Sequence, residues 1–345
     1  VIDALQAVIT QLLEDRAVTT LDMERAVGAI MDGACDPVEI AALLTALRCR
    51  GETVSQLVGA ARAMRARSLK IPAIRTGLLD TCGTGGDSLH TFNISTATAF
   101  VAAACGVPVA KHGNRSASSK SGSADVLEAL GVRLDLTPEQ VAVCVDELGI
   151  GFCFAQRLHG AMKHAAPVRQ KLGFRTLFNL LGPLTNPAQA QHQLIGVGKI
   201  QLAALMAGAL SQLGSRHALV VCGNNELDEV SLWGATTIFD VQNGVVEQKT
   251  WTPELLGLEP CDVADLRVDS PTQSAEVIRQ ILSGAMGPAR DIVLANTAAA
   301  LVAADVISDP CEGVQRAAAA IDNGQAASLL QQFATKTQAL ATTNS

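Results

Sequence analysis

Residues 80–125 read DTCGTGGDSLHTFNISTATAFVAAACGVPVAKHGNRSASSKSGSAD, and the fold is decided in this stretch. The apolar run Gly77-Leu78-Leu79 leads through Asp80 and Thr81 into a glycine-dense turn, Gly83-Thr84-Gly85-Gly86-Asp87. A small-residue apolar segment follows. Ser95 or Thr96 can cap its start and Gly106 its end, so the spacing predicts a buried helix over 96–105. Val107-Pro108-Val109-Ala110 reads as a strand that delivers Lys111-His112-Gly113-Asn114-Arg115 to a second loop. A further helix starts near Ser123 or Asp125 and stops at Gly131. The pattern is strand, glycine loop, helix, strand, polar loop, helix. In an open α/β sheet, ligands sit outside the carboxyl ends of parallel strands, where both loops are expected to fall.

Both loops have the chemistry of an anion site. Glycines without Cβ let backbone N–H groups close on an anion, and the helix that follows adds positive partial charge. Lys111 and Arg115 supply full charge, while Ser116, Ser118, Ser119 and Ser121 supply hydroxyl donors. A ligand with several phosphates suits such a pair. GTGGD alone is as often an ordinary tight turn. It is neither G-x-G-x-x-G nor a Walker A, which disfavours dinucleotide and P-loop readings.

Composition narrows the class. The 345 residues suffice for two domains with a substantial core, and 48% are apolar against 17% charged. Net charge is −7, with no Tyr, two Trp and eight Phe. Such a chain lacks both the counterion release and the stacking platforms of a nucleic-acid binder. The nine cysteines form no C-x-x-C and no zinc spacing, so a reduced, cytoplasmic setting is expected. Cys82, beside the glycine loop, reads as small strand-end packing rather than a nucleophile. No signal peptide is legible, and the apolar runs near 97–110 and 297–306 are too short to span a bilayer. The sequence begins at Val1 rather than Met, so the start of translation is expected upstream.

Residues 1–70 read as helices only, over 1–13, 21–31, 38–47 and 54–67, with ends marked by Thr20, Gly33, Asp36-Pro37, Gly51 and Thr53. Ile71-Pro72-Ala73 reads as a hinge. Beyond the second loop, Thr137-Pro138-Glu139-Gln140 is a capping box opening a helix that Gly149 ends, and 150–155 is a buried strand. His159, Lys163, His164 and Arg169 are expected on one helix punctuated by Pro167; taken alone, such a run is a solvated basic face. Residues 173–187 are loop-rich. Strand 193–197, helix 202–213 and strand 217–222 repeat the earlier pattern, and Gly223–Glu229 is the loop after them. Asn243-Gly244 between 236–241 and 245–250 signals a type I′ hairpin whose antiparallel ribbon joins the sheet. Helices near 272–283, 288–304, 311–323 and 325–337 close the chain before a polar tail. The expected fold is α/β: a small all-helical domain, 1–70, and a larger α/β domain with a mostly parallel central sheet flanked by helices, 74–165 and 190–345.

GTGGD-x3-TFNIST followed by KHGNR-x-x-SSKSGSAD resembles the anthranilate phosphoribosyltransferases, within the nucleoside phosphorylase-like phosphoribosyltransferases. Further matches are His159, Pro167-Val168-Arg169, the run 175–187 (RTLFNLLGPLTNP) and Leu227-Asp228-Glu229, so the resemblance spans essentially the whole chain. It implies transfer of a phosphoribosyl group from phosphoribosyl pyrophosphate to the amine of anthranilate, in tryptophan biosynthesis. It implies that Gly83, Thr84, Gly85, Gly86, Asp87, Thr91, Asn93, Ser95, Thr96, Lys111, Ser119 and Ser123 hold phosphoribosyl pyrophosphate. Arg169 would grip the anthranilate carboxylate, with Gly83, His112, Asn114 and His159 around the ring. Adjacent acids such as Asp228-Glu229 are usually a solvated loop. Magnesium, however, takes one or two carboxylates with substrate phosphate and water, and the resemblance puts Mg2+ there with Ser95 as a further ligand. An aryl amine is unprotonated near neutral pH, so no catalytic base is expected; positioning and electrostatics carry the reaction.

The resemblance also implies that 167–188 returns to the helical domain, that this domain makes a homodimer, and it admits an anthranilate synthase partner. Four positions depart from the family pattern. Ser88 stands where Gly is usual, Gln156 and Gly160 replace prolines, and Glu226 replaces a Gly. Ser88 and Glu226 call for a backbone free of positive φ. Two rival classes are a pyrimidine nucleoside phosphorylase, in which KHGNR has no place, and a nucleic-acid-binding relative, which would need a basic surface.

Overall fold

The computed structural model describes residues 4–115 and 121–342. Four helices come first: α1 (Ala4–Leu13), α2 (Thr20–Met31), α3 (Pro37–Arg50) and α4 (Val54–Arg67). The last three each open on a reciprocal capping box, Thr19 with Asp22, Asp36 with Glu39 and Thr53 with Gln56, which satisfies N–H groups a helix start leaves orphaned. Their apolar stripes (Val8, Val27, Ile30, Leu43, Leu57 among them) close into one bundle core.

The chain then alternates: β1 (Leu79–Asp80), α5 (Ile94–Ala104), β2 (Val109–Gly113), α6 (Ser123–Ala129), α7 (Pro138–Leu148), β3 (Ile150–Phe154) and α8 (Ala155–Leu158). A 3-10 turn (Gly160–His164), α9 (Ala166–Leu172) and α10 (Phe178–Leu181) lead to β4 (His192–Gly196), α11 (Ile200–Leu213), β5 (His217–Gly223), β6 (Thr236–Gln242) and β7 (Val245–Trp251). Then come α12 (Pro253–Leu256), a 3-10 turn (Val263–Leu266), α13 (Pro271–Leu282), α14 (Pro288–Ala303), α15 (Pro310–Asp322) and α16 (Gln325–Thr342). Among the described residues no helix is long and apolar enough to cross a membrane.

The seven strands form one sheet in the order β3-β2-β1-β4-β5-β6-β7. The first five are parallel; β6 and β7 run antiparallel, with Gln242 opposite Val245 across the expected Asn243-Gly244 turn, both residues at positive φ. The chain leaves β1 for β2 on one side and returns as β4 on the other, so a switch point lies between β1 and β4. One sheet face packs under α5, α7 and α13–α16. On the other face α11, Ile195, Val220 and Phe239 share a core with the helical bundle and with Val168, Phe178, Leu181 and Leu184.

Several expectations change. Asn93, not Ser95 or Thr96, caps α5, because its side chain accepts from the Thr96 N–H and hydroxyl. Strand β2 runs on through Gly113, so Lys111 and His112 lie in the strand rather than in a loop. Residues 155–172 are three short pieces instead of one helix: His159 (φ −115, ψ 54) breaks the first, and Pro167 sits in the first turn of the last. Ser88 does adopt positive φ (67°), as does His90 (60°), so the glycine loop keeps a left-handed turn without a glycine at 88. Glu226 is not among the positive-φ residues; its neighbours Asn224 and Asn225 take that conformation, which Asn tolerates.

Candidate active site

Three loops meet at the carboxyl end of the sheet: the glycine loop after β1, the Asn114 loop after β2 and the Asp228-Glu229 loop after β5. Together with the 169–183 segment they enclose a cleft of about 340 Å³. The first and third loops both close on the backbone at the end of β4. Thr84 N donates to Gly196 O at 2.9 Å, and a Cβ on Gly196 would overlap the Asp228 carbonyl. Only glycine fits that approach.

Lys111 reaches inward from β2. Its Nζ donates to Thr81 O (2.9 Å), Thr81 Oγ1 (3.2 Å) and Ser95 Oγ (3.1 Å), and burial lowers its pKa. Asp228 and Glu229 are half-exposed at the mouth but enclosed by protein. Burial first, then the negative charge of Asp87, raises Asp228 to about 8, against a Gly85 N–H that favours its charged form. Glu229 is raised well above the carboxylate range by burial and by Asp228, with Lys111 and the Ser95 N–H opposing. Asp87, Asp228 and Glu229 thus crowd negative charge at one end of the cleft.

The other wall is neutral and internally bonded. His112 Nδ1 lies 2.9 Å from the Gly182 carbonyl, which can only accept, so that nitrogen carries the proton. Its Nε2 is then an acceptor, and His159 Nε2 donates to it at 3.2 Å. Burial lowers His112 to about 3 and His159 to about 4, so both rings are neutral. The His112 N–H is held by Asp80 Oδ1 (2.9 Å), and Asn186 Nδ2 donates to Asp80 Oδ2 (2.7 Å) and Ala110 O (2.8 Å). Asp80, Cys82 and His112 offer ligand atoms within 4.8 Å of one another, yet the Asp80 oxygens and His112 ring nitrogens are all hydrogen-bonded, so this group is no free metal site.

Arg169, on α9, lies with its guanidinium 5.5 Å from the Phe178 ring centre, and its buried Nε has no hydrogen-bond partner among the described residues. A fixed cation with an orphan donor calls for an anion. The cleft therefore brings together Gly83, Thr84, Gly85, Gly86, Asp87, Thr91, Asn93, Ser95, Lys111, His112, Asn114, Ser123, Arg169, Asp228 and Glu229. Thr96 sits beneath it, buried on Asn93, and His159 stands behind His112. Ser119, Ser116 and Ser118 lie outside the described residues. Arg115 is a correction: its guanidinium is bound to Asp125 (2.8 Å) and Glu128 (2.6 and 2.7 Å), so its charge is spent away from a ligand. Ser121, expected as a hydroxyl donor, lines the cleft, as do Arg175, Asn179 and Pro183, which were given no role beforehand. The last three belong to the 175–187 run, where a signal existed without a role. The Ser121 Oγ is buried with no hydrogen-bond partner among the described residues.

A helical bundle set against a mostly parallel sheet, with a glycine loop, a buried lysine and paired carboxylates at the switch point, defines a group-transfer enzyme of the glycosyl transferase type. The family described as "Glycosyl transferase family, helical bundle domain" matches residues 6–68, and "Glycosyl transferase family, a/b domain" matches 75–327. Within it the chain belongs to the anthranilate phosphoribosyltransferase family. It is 49% identical over 329 residues to the anthranilate phosphoribosyltransferase of Symbiobacterium thermophilum, covering 95% of this chain and 96% of that one. To that of Thermomicrobium roseum it is 52% identical over 320 residues, 92% of each chain. The crystal structure of the Thermus thermophilus enzyme superposes with a TM-score of 0.91 at 41% identity, over 98% of this chain and 100% of that one. The Saccharomyces cerevisiae enzyme, in complex with phosphoribosyl pyrophosphate and Mg, superposes at 0.90 with 27% identity, over 98% and 99%.

Proposed function

We propose that this chain transfers the phosphoribosyl group from phosphoribosyl pyrophosphate to the anthranilate amine, releasing pyrophosphate and giving N-(5-phosphoribosyl)anthranilate. The observation that carries this reading is the division of one cleft into a phosphate-binding end (Gly83–Asp87, Asn93, Ser95, Lys111, Ser123) and an orphan guanidinium, Arg169, across from it. The glycine loop and Lys111 hold the pyrophosphate end of the donor; Arg169 grips the acceptor carboxylate, with Gly83, Asn114 and His112 framing its ring. Both His112 ring nitrogens are engaged, so it meets the acceptor through its ring edge and keeps that wall dry and uncharged. His159 orients His112.

The amine is unprotonated and attacks ribose C1 as the C1–O bond to pyrophosphate breaks. The ring gathers positive charge, the leaving oxygens gather negative charge, and the loop N–H groups and Lys111 stabilise the latter. The attacking nitrogen then loses its proton to solvent. Asp228, Glu229 and the Ser95 hydroxyl fit a hard divalent cation such as Mg2+: all three are oxygen donors, and the raised carboxyl pKa values mark negative charge that a cation would relieve. When bound, that ion would neutralise pyrophosphate oxygens.

The buried contacts of Val168, Phe178 and Leu184 with the bundle support assigning 167–188 to the helical domain of residues 1–70, with 74–165 and 190–345 as the α/β domain. Exposed Leu13, Leu21 and Val38 on the bundle suit a homodimer contact. Nine free cysteines suit a cytoplasmic setting. The test is product formation from phosphoribosyl pyrophosphate and anthranilate with magnesium, against thymidine and phosphate as the alternative pair. Turnover of the alternative pair alone would overturn the reading.

A further inference from the structure

Arg175 has no role in the reading above, yet its guanidinium stands at the phosphate-binding end of the cleft. It leaves the turn after α9, where Gly173 (φ 68°) reverses the chain, and crosses to the glycine loop. There Nη2 donates to Thr84 O at 3.2 Å and Nη1 to Gly86 O at 3.3 Å. A Cβ on Gly86 would lie 2.6 Å from that Nη1, so the absent side chain at 86 is what admits the guanidinium. Its charge also acts on Asp228, whose ionised form it favours. No carboxylate is paired with it among the described ion pairs, and the residue is exposed to the cleft.

Two long hydrogen bonds to neutral carbonyls are a poor use of a full charge. A guanidinium binds a phosphate through two parallel, shorter, charge-assisted bonds, about twice as strong as neutral ones. Any pyrophosphate cradled by the N–H groups of the Gly83–Asp87 loop lies beside the residues Arg175 already touches. Its segment packs with the helical bundle through Phe178 and Leu181, so it reaches from the acceptor side of the cleft to the donor side.

We propose that Arg175 is a catalytic residue: on substrate entry it releases Thr84 and Gly86 and forks onto oxygens of the departing pyrophosphate. This rests on the transferase reading, which supplies the pyrophosphate. Because negative charge on those oxygens grows as the C1–O bond breaks, the contact strengthens in the transition state and lowers the barrier rather than only binding the donor.

The experiment has two arms on the full chain, with wild type, Arg175→Ala and Arg175→Lys. Calorimetry with magnesium pyrophosphate needs no turnover. Arg175→Ala is expected to weaken binding on the order of tenfold, with Arg175→Lys intermediate. In steady state, Arg175→Ala is expected to lower kcat on the order of tenfold to a hundredfold, with the anthranilate KM unchanged. A mere clamp on the loop would raise the KM for phosphoribosyl pyrophosphate and leave kcat alone. Wild-type pyrophosphate affinity in Arg175→Ala, or a loss confined to KM, overturns the proposal. A wild-type enzyme that binds pyrophosphate but does not turn over would overturn the transferase reading instead, and the binding arm would still judge Arg175.

Discussion

The two walls of the cleft are built on opposite principles. At the glycine-loop end, Asp87, Asp228 and Glu229 crowd like charge, Lys111 is buried against it, and the glycine loop holds its shape through left-handed backbone at Gly85, Gly86, Ser88 and His90. At the opposite end, the chain from Gly182 through His112 to His159, and from Asp80 to Asn186, satisfies its own hydrogen bonds and carries no net charge on its rings. The first wall is unfinished without ligands; the second is complete. A wall held under electrostatic strain gives up stability to bind strongly, while a satisfied wall gives shape and excludes water. Arg169, with an Nε that has no partner among the described residues, is an unfinished element set in the finished wall.

The strongest way to break this contrast is to remove the crowding. Asp228→Asn with Glu229→Gln is expected to cut kcat on the order of a hundredfold or more and abolish the response to magnesium. Above about pH 8, where Asp228 ionises in a confined site beside Asp87 and the amides carry no charge, the ligand-free melting temperature should rise. Rates across a magnesium titration, together with calorimetric melting, decide it. A wild-type metal response would remove these carboxylates from the site, and a lower melting temperature would deny the strain.

Next in size is Arg169→Ala. Loss of a charge-assisted fork to a carboxylate costs about 2–3 kcal/mol, or roughly 30- to 150-fold in the anthranilate KM. The carboxylate is ortho to the reacting amine, so some loss of kcat through misplacement is expected beside the larger KM effect, while the KM for phosphoribosyl pyrophosphate should hold. Arg169→Lys should recover part, since an ammonium lacks the fork. An equal loss for both substrates would detach Arg169 from the acceptor.

How much of this contrast can be read from sequence follows from what each wall is made of. The charged wall is mostly local: GTGGD, Asn93-Ile94-Ser95-Thr96 and Asp228-Glu229 are short runs whose chemistry lies in consecutive residues. The satisfied wall is made of pairs far apart in the chain. His112 and His159 are 47 residues apart and Asp80 and Asn186 are 106; on the charged wall the one comparable pair, Arg175 and Gly86, spans 89. No spacing rule links such partners, so the histidines read as separate ligand contacts and Arg175 as part of a motif without a task. The element order was legible because capping boxes and glycines at helix ends act locally. The broken helix at 155–172 was not, because the backbone at His159 is set by its burial against His112.

The third expectation concerns the neutral histidines. Below their free pKa of about 6.5 the unfolded chain takes up protons that the folded rings refuse until about 4 for His159 and about 3 for His112. The folded state therefore binds fewer protons across that window, and their contribution to stability, full above 6.5, is lost as pH falls through it. Melting temperatures from pH 7 to 4 should drop less steeply in His159→Phe than in wild type. Parallel curves would mean that the pair is not held neutral by the fold.

The smallest effect expected is motion between the walls. The linker is pinned to the α/β domain by Leu69 N to Leu158 O (2.9 Å) and the Ile74 and Arg75 N–H groups on Asp146, and to the 167–188 segment by Ile71 N to Pro187 O (3.2 Å). Closure on both substrates is then expected to bend the chain at the end of α4 as well as near Pro167, in place of a free hinge at Ile71–Ala73. Solution scattering should show a slightly smaller radius of gyration with both ligands; identical profiles would count against closure.

The contact at Gly196 has a consequence for what variation the family can tolerate. There the glycine loop, the end of β4 and the Asp228 loop are in backbone-to-backbone register, with no room for even a methyl group. The gap between glycine loop and carboxylates is thus gauged by peptide units, whose dimensions no mutation alters. Substitutions can change what these loops carry, such as Ser88 for glycine, while the separation of the parts stays inherited. An alanine at 196 is expected to leave the helical domain untouched and to spoil the alignment of everything that handles pyrophosphate.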